Sequence, residues 1–88
     1  MKYRKRPIVV EAIQFTGANR LDMKDFCPSL VTRGIDDSGA EYTLRFPRVQ
    51  TPEGEMLLRE GYWLIKGIQG EFYPCDPNVF AATYDPVT

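Results

Sequence analysis

Six side chains hold most of what this sequence can offer a ligand. Trp63, Tyr73 and Tyr84 supply flat π-faces, and Arg4, Arg6 and Lys66 supply positive charge. Such a set suits a small anion of the nucleotide type, with aromatic faces for a base and cations for phosphates. Each residue also has a plain structural reading, with Trp63 as core and Lys66 as a solvated strand position. Catalysis is poorly served. The chain has no histidine, the side chain that most readily moves protons near neutral pH. Glu11, Glu41, Glu55, Glu60 and Glu71 are scattered, and no spacing forces two of them into one site. Cys75 could be a nucleophile, but Tyr73 or Lys66 would be an unusual base for it. Cys27 and Cys75 are the only cysteines. Without histidine partners they make no metal-ligand spacing, and free thiols are expected in a reducing compartment. The residues thus predict a non-enzymatic binder with no metal site and no cofactor.

The chain that must position these groups is 88 residues long, which predicts a single domain over 1–88. A domain of this size buries only about 60–65% of the surface its unfolded chain exposes, so assembly into a homo-oligomer would offset a thin stability margin. Hydrophobic residues make up 43% and aromatics 12%, enough to exclude a disordered tail. No apolar run approaches the ~18 residues of a membrane span. The basic start resembles the opening of a secretion signal, but Glu11 interrupts the apolar run Ile8-Val9-Val10 at once. A cytoplasmic protein is expected. The first six residues hold four of the 11 basic residues and none of the 12 acidic ones. A basic head on an acidic body can draw a phosphate-rich partner, or it can keep an edge strand soluble. The overall pI of about 5.3 argues against an extended nucleic-acid track.

Pro7–Phe15 reads as a first strand covered on both faces. Asn19 and Asp22 form a capping-box-like helix start. Met23, Phe26, Cys27 and Leu30 share one helical face, and Pro28 stops the helix near Cys27. A brief strand fits Val31–Ile35. Next, Tyr42, Leu44 and Phe46 alternate inward against Thr43 and Arg45, and Pro47 weakens that strand's end or marks an edge. Thr51-Pro52-Glu53-Gly54, Glu60-Gly61 and Gln69-Gly70 are turns in a tight meander. Asp76-Pro77 starts a second helix, with Val79, Phe80, Thr83 and Tyr84 able to lie on the sheet. The predicted class is α+β. It comprises a small antiparallel, hairpin-rich sheet, compatible with a partly closed barrel, one helix after the first strand and a short C-terminal helix.

Two stretches carry a resemblance: Lys2–Gly17 at the start, and Glu60–Gly67 with Gly70–Pro77, Phe80, Thr83 and Tyr84 at the end. They are similar to a family of short phage and prophage proteins of unassigned function, named for a Pro-Gly-Asp-Tyr-Gly-like motif. One departure is clear, since Tyr62 follows Gly61 where relatives usually have aspartate. The resemblance implies a phage accessory role and carries over no catalytic residue. By analogy with oligomeric phage proteins that sequester nucleotide signals of bacterial defence, it favours a bound nucleotide-type anion. The alternative is an interaction module, either a virion or morphogenesis part or a binder of a host protein through strand addition.

Overall fold

The computed structural model describes residues 1–4 and 6–87. In chain order its elements are β1 (Glu11–Gln14), α1 (Arg20–Phe26), β2 (Val31–Ile35), β3 (Glu41–Thr51), β4 (Gly54–Leu57), β5 (Trp63–Lys66), β6 (Phe72–Cys75) and α2 (Pro77–Thr83). The class is α+β, as the sequence indicates. The expected single sheet is corrected to two antiparallel three-stranded sheets, ordered β1-β5-β6 and β2-β3-β4, and neither closes into a barrel.

The division into two sheets is made between β4 and β5. Gly61 takes φ 86°, which glycine adopts at little cost, and donates its N–H to the Phe15 carbonyl at 2.7 Å. The Phe15 N–H in turn bonds the Tyr62 carbonyl at 2.9 Å. These backbone groups turn toward the β1 side instead of back to β4, so β5 enters the other sheet between β1 and β6.

Pro47 does not mark an edge, because β3 is the central strand of its sheet and runs through it. The register shows how this is tolerated. Val31 opposes Arg48 whereas Arg33 opposes Thr43, so β3 carries extra residues between those pairs. A residue without an N–H costs least at such a bulge. The inward parity switches there: Leu44 is buried on one side of it, Pro47 and Val49 on the other. Tyr42 was expected to point inward and is 46% exposed. Its ring instead lies over Gly34, its partner across the ladder, only 2.7 Å from where a Cβ would sit.

Three local expectations hold. Pro52 and Glu53 connect β3 to β4, with Thr51 paired to Gly54. α1 ends at Phe26, one residue short of Cys27, and buries Met23. The Asp76 carboxylate accepts from the N–H groups of Asn78 and Val79 at 2.7 and 3.3 Å, capping α2. Asn19 departs from its expected role. It stands at the start of α1 but makes no side-chain cap bond, because its amide oxygen accepts from Thr16 and its amide nitrogen donates to the Gln14 carbonyl.

The first strand is shorter than Pro7–Phe15. Glu11 opposes Lys66, the last residue of β5. Beyond it the chain turns into the β5–β6 hairpin, where the Gly67 N–H bonds the Glu71 carbonyl. Nothing in β5 remains to pair with residues 7–10. The main core lies between the sheets and α1, built from Phe15, Met23, Cys27, Leu30, Val49, Leu58 and Leu64.

Candidate functional site: a groove beside the free edge of β1

Side chains alternate across a strand, and this fixes what each face of the first sheet can do. Leu64 joins the core, so Trp63 and Ile65 face the other way, toward α2. There the indole of Trp63 stacks on Phe80 at 4.1 Å with 7° between the planes, and Phe80 meets Tyr84 at 5.0 Å. Tyr73 opposes Ile65 across the β5–β6 ladder, which puts it on the same side. Its hydroxyl lies 3.5 Å from that of Tyr84.

Two adjoining grooves open on this side, one on either flank of the segment Ile8–Val10. The larger, of about 700 Å³, is lined by Ile8, Val9, Val10, Ala12, Trp63, Pro77, Phe80, Ala81, Tyr84, Asp85, Pro86 and Val87. Asp85 is the one charged residue among these. The smaller, of about 520 Å³, adds Arg6, Pro7, Gly67, Ile68, Glu71, Tyr73 and Thr83. The large groove is apolar along most of its length. The small one places a single cation, Arg6, beside the two acids Glu71 and Asp85.

The six residues singled out in the sequence do not converge. Trp63 and Tyr84 line the large groove, while Arg6, Tyr73 and Tyr84 line the small one. Lys66 has the parity of Leu64 and stands on the opposite face of the sheet from Trp63. Arg4 is exposed and lines neither groove. Lys5, part of the basic head, lies outside the described residues. Residues that sequence reasoning did not assign to a site are Ile8, Val9, Val10, Ala12, Phe80 and Ala81. The apolar run preceding Glu11 was the available signal. Tyr62, at the position where the resembled family has aspartate, is packed against the core.

Tyr73 and Cys75 are both pushed toward their protonated forms. Burial first, then the hydrogen bond with Tyr84, pushes the Tyr73 hydroxyl up to about 12. Burial, with the Asp76 carboxylate behind it, raises the Cys75 thiol as well. A thiol held protonated is a weak nucleophile. Cys75 shares the α2-facing parity of its ladder partner Trp63, whereas Cys27 sits in the core, and both are free. Among the described residues no cluster of three His, Cys, Asp or Glu could hold a metal, and no helix is long and apolar enough to cross a membrane. Comparison with protein-family models, curated proteins and solved structures found no match.

The backbone of β1 matters as much as the side chains. Phe15 directs its N–H toward Tyr62, so by strand alternation Ile13 and Glu11 also bond toward β5. Gln14 and Ala12 then present their N–H and C=O groups to the outer edge. Asn19 confirms the direction for Gln14, since its side chain reaches that carbonyl at 2.8 Å. Ala12 has no such partner among the described residues.

Proposed function

We propose that this chain is a non-catalytic interaction module that receives an extended apolar segment along the outer edge of β1. The observation that carries the reading is the coincidence of an unpaired strand edge at Ala12 with an apolar groove floored by Trp63, Phe80 and Ala81. Added strands bind through main-chain hydrogen bonds and gain specificity from pockets that accept alternate side chains. This edge offers both. The phage accessory role, which rests on the resemblance, and a cytoplasmic setting are parts of the same proposal.

The test is calorimetric titration with short peptides of alternating apolar residues against the protein and its Ala81→Arg variant. Ala81 is exposed, so the arginine fills the groove while leaving the core intact. Binding that the variant loses supports the reading, and equal binding by both proteins contradicts it.

A second reading keeps the nucleotide-type anion. What favours it is the small groove, where Arg6 stands with Tyr73 and Tyr84. Glu71 and Asp85 in the same wall weigh against a multiply charged anion. Titration with cyclic and linear nucleotides that yields binding abolished by Arg6→Ala would favour this reading over the first.

A further inference from the structure

We infer that the segment received at the β1 edge is the N-terminal arm of a second copy of this chain, exchanged reciprocally about a two-fold axis at Val10. The inference rests on the interaction-module reading above and names its partner.

The arm has the composition of a strand and no strand to join. Ile8, Val9 and Val10 are β-formers, yet among the described residues they enter no ladder and make no backbone–backbone hydrogen bond. Val9 is 74% exposed and Ile8 44%. An apolar strand former left in solvent is an invitation to pairing.

The parity of β1 selects how two arms can meet. In the proposed pair the alternation of β1 is continued back through Val10 and Ile8, so that even-numbered residues present their backbone groups outward and an antiparallel pair centred on Val10 joins Val10 to the partner's Val10. It also joins Ile8 to the partner's Ala12, and the reciprocal pair follows by symmetry. Pro7 has no N–H to give, but it is odd-numbered and its missing donor falls on the other side of the ladder. The ladder stops at Gln14, whose carbonyl Asn19 already occupies. Side chains of the even residues then enter the groove along Trp63 and Phe80. Charge agrees with this register. Continuing it brings the basic Arg4 of one copy to Thr16 of the other, beside Gly17, against which the Glu60 carboxylate lies. The result is one six-stranded sheet built from two three-stranded halves.

Two proline variants test the parity. Val10→Pro removes an N–H that the ladder needs from both copies, whereas Val9→Pro removes one that it does not use. Among the described residues neither N–H makes a backbone bond, so both variants should fold. Light scattering after size exclusion should find a dimer for the full chain and for Val9→Pro. Dimerisation of Val10→Pro should be weakened roughly 30-fold, the equivalent of about 2 kcal/mol for two lost ladder bonds. A monomeric wild-type chain, or a dimer whose dissociation constant both variants leave unchanged or both raise alike, overturns the inference. Amide hydrogen exchange of the unmodified protein gives an independent check. Protection of Val10 and Ala12 that grows with protein concentration supports the pairing, and concentration-independent exchange overturns it. If peptides still bind in an Ala81-dependent way to a strict monomer, self-pairing fails while the groove reading stands.

Discussion

Alternation along β5 separates residues that fill space from residues that can meet a partner. Leu64 is fully buried in the core cluster, so Leu64→Ala should cost about 2–5 kcal/mol in urea unfolding. Lys66, two positions on and exposed at the end of the same face, should change stability by less than about 0.5 kcal/mol when replaced by alanine. A second residue-scale expectation concerns pH. The Tyr73 hydroxyl is raised from 10.0 to about 12, so the native state holds that proton where the unfolded chain releases it. Its contribution to stability is complete below pH 10 and is lost as pH rises toward 12. In Tyr73→Phe this alkaline decline should flatten, as followed by thermal melts at stepped pH. An unchanged slope would remove the Tyr73–Tyr84 pair as its source. The opposite faces of Trp63 and Lys66 were legible in the sequence, because residues three apart in a strand cannot point the same way. Grouping them by chemistry alone obscured this.

Elements were readable to the extent that their causes are local. The Asp76-Pro77 start of α2, the Thr51–Gly54 hairpin and the Met23–Cys27–Leu30 stripe each depend on neighbours a few residues away, and each appears where the sequence puts it. Asp76→Ala should lower stability by about 1 kcal/mol, because two α2 amides lose their acceptor. Thermal or urea unfolding would measure it, and a change near zero would mean that Trp63 and Phe80 hold the helix without its cap. The failures have distant causes. The length of β1 is set by where β5 ends, and the split into two sheets by which carbonyl the Gly61 N–H reaches. Neither fact is present in the local pattern. The bulge in β3 lies between these cases. The change from an inward even residue at Leu44 to an inward odd residue at Val49 was written in the order Leu-Arg-Phe-Pro-Arg-Val-Gln. It was masked by reading Pro47 as an ending.

At the scale of the whole molecule, one unfinished sheet organises the account. The second sheet and α1 close a core, α2 covers the far face of the first sheet, and the outer edge of β1 remains open beside an apolar groove. Small domains gain stability by completing such edges with a partner. The candidate site was only partly legible beforehand. Its aromatic floor was visible in Trp63 and Tyr84, whereas its walls depend on the arm and on the residues after α2, which meet only in the folded chain.

Trp63 lies in the floor of that groove and is the chain's only tryptophan, so its fluorescence reports occupancy without labelling. The most direct measurement is its emission maximum across a wide range of protein concentration, for the full chain and for Val10→Pro. A blue shift with rising concentration in the full chain, absent or displaced to higher concentration in the variant, is the predicted result. An emission maximum that stays fixed for both proteins would contradict the claim that an added strand fills the groove beside β1.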